Sequence, residues 1–313
     1  MRAFALDAFG QPGSIHDVPE PKPAEGQVRV RVEAASLNPF DNVVLQGYLK
    51  DKMEHRFPLI PAGDFSGTVD ALGSGVEGFS IGDPVFGVIG KMYFGEGSLA
   101  QKATASSATI ARRPESISDI EAAAAPLAGV SALMSVDAAA PKPKDVVVVV
   151  GASGGIGSYA VQIAKARGAH VVGVTSKANI DYVKGLGADE VIDRTSGDVL
   201  DALKSKHPDG VASIIDTGSD APTLARLSEA VRKGGSVVSM KAAAAPDELA
   251  KRDVKGVNIQ TQVNTQRLET LTQLSADGKL KAPRIRTFPL EQAGEAFKLL
   301  GQSGGKLVVT VSK

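Results

Sequence analysis

The segment Val150-Gly151-Ala152-Ser153-Gly154-Gly155-Ile156-Gly157 carries the clearest chemical signal in the chain. It follows five consecutive valines, Val146 to Val150, and opens a stretch with helical periodicity. Glycines permit a tight turn and let backbone N–H groups approach a pyrophosphate, which then lies at the positive end of the following helix. The spacing reads as Gly151-x-x-Gly154-x-x-Gly157, and Gly155-x-Gly157-x-x-Ala160 fits the commoner template. Ser153, Gly154, Gly155, Ile156 and Gly157 are therefore expected to bind a dinucleotide. The competing reading is a strand–helix turn with no ligand.

The end of the next strand indicates which dinucleotide. An NAD site places Asp or Glu about 20 residues on, to bind the ribose 2′-hydroxyl. Here His170 to Val174 is followed by Thr175-Ser176-Lys177, with no acid before Asp181. Two hydroxyls and an ammonium can hydrogen-bond a 2′-phosphate that a carboxylate would repel. Arg194, just after the third strand, adds a second cation. Together these residues favour NADPH; against that stands the ordinary role of Lys and Arg as solvated loop-tip residues.

Other chemistries find less support. His16, His55, His170 and His207 have no ligand-like spacing, so no metal site is expected. With no Cys, there is neither a thiolate nucleophile nor a sulfur-built zinc site. Ser153 does not match the G-x-S-x-G nucleophile turn, which argues against hydrolysis, and no carboxylate pair stands out.

The elements that must position the glycine turn follow from pattern. Strands are read at about 146–150, 170–174, 190–193, 211–216, 236–240 and 256–260. Intervening helices carry period-3.6 patterns such as Ile156, Tyr159, Ala160, Ile163 and Ala164. That alternation predicts an α/β, doubly wound parallel sheet. Residues 1 to about 118 differ: short β segments broken by Gly and Pro suggest a partly barrel-like β unit. Ser118-x-x-Glu121 is a capping-box signature opening an Ala-rich helix that Pro126 should bend or split. Arg284 to Phe288, a helix from Leu290 to Leu300, and Lys306 to Val311 read as a return to the first unit. The expected division is therefore 1–118 with 285–313, and 119–284 inserted between them.

The chain has 313 residues, with 35 basic and 35 acidic side chains. Zero net charge argues against nucleic acid or an anionic membrane as partner. No uninterrupted apolar stretch reads as a signal peptide or a membrane span, so a cytoplasmic location is expected.

Several further segments carry a resemblance. These are Ala34-Ala35-Ser36-Leu37-Asn38-Pro39-Phe40-Asp41, Gly63-Asp64-Phe65-Ser66-Gly67 and Gly82-Asp83-Pro84-Val85. Pro126-Leu127-Ala128-Gly129-Val130-Ser131-Ala132, Leu186-Gly187-Ala188-Asp189 and Gly304-Gly305-Lys306-Leu307-Val308 continue the match across nearly the whole chain. The chain resembles the medium-chain dehydrogenase/reductase superfamily. Within it, the match is to zinc-free, NADPH-dependent quinone oxidoreductases of the zeta-crystallin type and their alkenal- and enone-reducing relatives.

The resemblance implies a GroES-like β-rich catalytic domain with an inserted Rossmann domain, a small-molecule quinone or enone substrate, and a homodimer paired through edge strands, here Val257 to Gln260 or the segment before it. It implies Asn38 and Asp41 at the substrate end of the cleft, with Tyr48 replacing a family Tyr at positions now held by Val43 and Val44. Ser131 is implied near the nicotinamide, Lys177 on the 2′-phosphate, and Thr217 and Gly218 beside the nicotinamide ribose. Zinc-dependent relatives use Cys and Gly-His-Glu, where this chain has Gly63-Asp64. Asn38 also reads as a turn residue and Asp41 as a helix cap. Two alternative functions are an NADPH-binding redox sensor or stress-associated protein with little turnover, and a carrier-linked enoyl reductase.

Overall fold

The computed structural model describes residues 1–302 and 304–312. Its contacts divide the chain into two units: Met1–Leu127 with Val263–Gln273 and Ala282–Lys313, and Ala128–Gln262 with Leu274–Lys281. The partition runs past the expected 118/119 and 284/285 boundaries. Residues 119–127 fall with the first unit because the short helix Asp119–Ala123 packs on the strands Gln27–Leu37 and Asp64–Leu72.

The second unit is built on a six-stranded parallel sheet. Its order is Glu190–Asp193, His170–Thr175, Val146–Val150, Val211–Asp216, Val231–Ser239, Lys255–Asn258. The valine strand lies in the middle, paired on one side with His170–Thr175 and on the other with Val211–Asp216. Val147, Val148 and Val149 are completely buried, as a strand covered on both faces requires. The chain order reverses on either side of this strand, which places its C-terminal end at the switch point of a doubly wound sheet. The fifth strand begins at Val231, earlier than the expected 236, and the sixth ends at Asn258.

The first unit contains a seven-stranded sheet. Five of its strands, from Lys306–Thr310 through Gln27–Leu37, Asp64–Leu72 and Pro84–Val88 to Ile110–Arg112, pair antiparallel in that order. Val28, Val30 and Val32 alternate into the core with Arg29 and Arg31 outside. A register irregularity between Val32 and Ala34 then lets Ala34, Ala35, Ser36 and Leu37 all be buried. The expected C-terminal return is present: Lys306–Thr310 pairs with Gln27–Leu37, with Leu307 opposite Leu37. The expected Leu290–Leu300 helix is shorter, a 3₁₀ turn at Leu290–Gln292 followed by Ala293–Lys298.

The Ala-rich segment splits as its proline dictates. Ser118 and Glu121 form the capping box of Asp119–Ala123, and Pro126 opens a separate helix, Pro126–Ala139. Proline has no N–H to donate, so it is accommodated at the start of a helix and not inside one. Among the described residues no helix is long and apolar enough to cross a membrane.

Candidate active site

In the second unit the valine strand ends in the glycine turn. Gly151 has φ of 76°, a left-handed conformation that suits glycine. A Cβ on it would lie 2.3 Å from Thr217 Oγ1, which donates to the Val150 carbonyl at 2.9 Å. Gly154 caps the helix Gly155–Ala166. A Cβ on Gly157 would sit 2.1 Å from the Gly151 carbonyl oxygen, so this glycine lets the first helical turn lie against the loop. The result is a shallow backbone cradle at the N-terminal end of a twelve-residue helix, where unpaired N–H groups favour an anion. It fits a dinucleotide pyrophosphate.

Of the side chains expected around the turn, Thr175 and Thr217 reach it directly. Thr175 Oγ1 donates to Ser153 Oγ at 2.8 Å, and the Thr175 carbonyl accepts the Arg194 N–H at 2.8 Å. Ser176 caps a short 3₁₀ turn holding Lys177, and its Oγ accepts from Asn179. Lys177 and Arg194 are exposed. Gly218 follows Thr217 beyond the fourth strand, and its carbonyl accepts from Lys241. Ser131 is buried, with its Oγ 2.6 Å from Thr261 Oγ1.

One neighbour escapes the sequence reading. Asp193 lies opposite Thr175 across the strand pair. Its carboxyl is held below the usual range, first by Thr195 and more weakly by the charge of Lys177. An acid therefore does stand near the 2′-phosphate candidate, but on the third strand and not the second. Counting only from the glycine turn could not find it.

In the first unit, Asn38 and Asp41 belong to a buried polar cluster. Asn38 caps the helix Pro39–Leu45, and its backbone N–H donates to Asp41 Oδ2 at 2.7 Å. The Asn38 side chain donates from Nδ2 to Asp64 Oδ2 at 2.9 Å and accepts at Oδ1 from Lys306 Nζ at 2.6 Å. Lys306 also donates to the Leu37 carbonyl at 3.0 Å and stands 3.7 Å from Asp64 Oδ2. Asp64 Oδ1 accepts the Leu127 N–H at 3.1 Å. Asp64 is 1% exposed and Lys306 5%.

Burial pushes the Asp41 carboxyl up to about 7, its hydrogen bond from Asn38 opposing the shift. Burial likewise pushes Asp64 up and Lys306 down, and their mutual attraction opposes both changes. Tyr48 stands apart from this cluster, 75% exposed beyond the C-terminal end of the same helix. The sequence reading missed Asp64 and Lys306 as site residues. Their signal was a lone charge at the start of an apolar strand, as in Lys306-Leu-Val-Val.

A zinc ion does not fit the donors present. The chain has no Cys, and among the described residues no group of three His, Asp or Glu converges. Asp64 is committed to Asn38, Lys306 and the Leu127 N–H.

Two family models match in order: an alcohol dehydrogenase GroES-like domain over residues 24–115 and a zinc-binding dehydrogenase over 155–276. The chain is 33% identical to a chloroplastic quinone-oxidoreductase of Triphysaria versicolor, covering 99% of this chain and 98% of that one. It is 31% identical to the 2-methylene-furan-3-one reductase of Solanum lycopersicum, covering 99% and 79%. Among solved structures, the quinone oxidoreductase from Coxiella burnetii superposes with a TM-score of 0.88 at 31% identity, over 100% of this chain and 99% of that one. With its glycine cradle, its six-stranded sheet and these full-length likenesses, the chain belongs to the medium-chain dehydrogenase/reductase superfamily, on the side that holds the quinone oxidoreductases.

Proposed function

We propose that this protein is a zinc-independent, NADPH-dependent oxidoreductase that reduces quinones or the C=C bond of α,β-unsaturated carbonyls. The observation that carries the reading is the cradle in which Gly151 and Gly157 clear space beside a helix N-terminus, in a chain akin at full length to a quinone oxidoreductase. A nicotinamide cofactor supplies the hydride when bound.

The remaining work falls to this chain's own residues. Gly154, Gly155, Ile156, Gly157 and Ser153 hold the pyrophosphate, and Thr175, Ser176, Lys177 and Arg194 receive the 2′-phosphate. Ser131, Thr217 and Gly218 position the nicotinamide end. Hydride addition to a conjugated acceptor leaves negative charge on the acceptor oxygen, which needs a donor in a dry environment. Asn38 is that donor. Asp41, whose burial keeps a proton on it up to about pH 7, supplies the proton that completes reduction. Tyr48 is the second donor proposed for the acceptor oxygen.

The test is NADPH oxidation by purified protein with p-benzoquinone and 3-buten-2-one. Oxidation that depends on the acceptor is expected. Tight NADPH binding without turnover would replace this reading with that of a redox sensor. We extend the proposal to a homodimer formed through the outer edge of Lys255–Asn258, and to a cytoplasmic location, which cell fractionation checks.

A further inference from the structure

Asn38 is held by two charged partners of opposite sign. An ammonium has only hydrogen-bond donors and a carboxylate only acceptors. Lys306 Nζ lies 2.6 Å from one end of the Asn38 amide, and Asp64 Oδ2 lies 2.9 Å from the other. With this pair in place the amide cannot flip: a reversed Asn38 would aim its N–H₂ at the ammonium and its oxygen at the carboxylate. The partners of the Asn38 amide oxygen and nitrogen, and with them its orientation, are therefore set by residues outside its own helix. Among the described residues, only one of the two Nδ2 hydrogens is taken.

We propose that Lys306 and Asp64 are positioning residues that lock the Asn38 amide as a donor. The amide then offers substrate its remaining N–H and never its oxygen. Rotation to present an acceptor would cost two charge-assisted hydrogen bonds at once. The ammonium on Oδ1 also draws electron density from the amide, which strengthens the free N–H as a donor. A site preset in this way favours substrates whose oxygen gains negative charge as they are reduced, such as quinones and enones, and offers nothing to a substrate that must donate at that point. This rests on the reading that Asn38 meets the substrate oxygen.

Lys306 and Asp64 also tie backbone at Leu37 and Leu127, so loss of activity in a single variant would not separate positioning from support. A double-mutant cycle does. Lys306→Met combined with Asp64→Asn keeps the volume of both side chains and removes both charges together, so neither is left buried alone. With NADPH and 3-buten-2-one, this pair is expected to lower kcat by about 10- to 100-fold, less than the roughly 100- to 1,000-fold cost of deleting an oriented oxyanion donor, because the amide stays and only its lock is lost. NADPH affinity, read by fluorescence titration, is expected to stay within about twofold of wild type. In an Asn38→Ala background the same pair should change kcat by less than about threefold, because the group it orients is gone. Lys306→Arg, which keeps a donor-only cation, should retain more activity than Lys306→Met. An equal loss in both backgrounds would overturn the positioning role. If Asn38→Ala alone leaves kcat unchanged, the role of Asn38 itself falls, and the positioning role falls with it.

Discussion

Asp193 closes the third strand of the parallel sheet opposite Thr175, and its carboxylate feels the charge of Lys177. The ammonium assigned to the 2′-phosphate thus already has an acidic neighbour. The cofactor preference becomes a balance between two exposed cations, Lys177 and Arg194, and one half-buried anion. Lys177→Glu should invert the preference towards NADH, with NADPH affinity falling about tenfold or more. Asp193→Asn should move it the other way, tightening NADPH by ~threefold. Both effects should shrink with added salt, since Lys177 is exposed and Asp193 is only half-buried. Competitive titrations of the two cofactors measure this, and an unchanged ratio in both variants would remove Lys177 from the phosphate site.

Asp41 makes stability depend on pH in an unusual direction for a carboxylate. Its pKa rises from 3.8 to about 7 on burial. Between these values the native state holds a proton that the unfolded chain has released. Stability from this group is complete below about pH 4 and is lost as pH rises through 7. Asp41→Asn cannot ionise and should flatten that slope, leaving the variant more stable than wild type at pH 8 by about 1–3 kcal/mol. Thermal melts at pH 5 and pH 8 check the sign. Activity of the same variant should fall at both values if Asp41 is the proton donor.

The two ends of the glycine turn should respond very differently to a methyl group. A Cβ at Gly157 would stand 2.1 Å from the Gly151 carbonyl oxygen, whereas one at Gly154 would meet that atom at 3.3 Å. Gly157→Ala must push the helix off the loop, at a cost of about 1–3 kcal/mol. Cofactor affinity should fall by about tenfold or more. Gly154→Ala should fold normally and lose less. Isothermal titration with NADPH ranks the two, and equal losses would mean that close helix packing does not shape the cradle.

The Lys255–Asn258 strand ends the parallel sheet, so one of its edges carries backbone groups that, among the described residues, no strand of the same protomer pairs. If two copies join there around a twofold axis, each residue near the axis meets its own counterpart. Val257→Lys would then place like charges close together and should dissociate the dimer. Sedimentation velocity at micromolar concentration should give dimer for wild type and monomer for the variant. A wild-type monomer would end the proposal.

The glycine cradle was legible in the sequence because everything it needs is local. The five-valine strand, the turn and the period-3.6 helix occupy adjacent residues, and each announces its backbone geometry by composition. The capping box at Ser118 and the split at Pro126 were legible for the same reason. The surroundings of Asn38 were not. Lys306 is 268 residues away, and it meets Asn38 only because the last strand pairs with Gln27–Leu37 in the register that sets Leu307 opposite Leu37. A shift of one residue would turn Lys306 to the other face of the sheet. Asp193 came into view in the same way, through the pairing of the second and third strands. The sequence by itself determined the kind of fold, the place of the cofactor turn and the lack of cysteine donors, since those depend on neighbouring residues and composition. Which charges stand beside Asn38 and Lys177 was decided only by tertiary structure, because strand register, and not sequence proximity, brings them together.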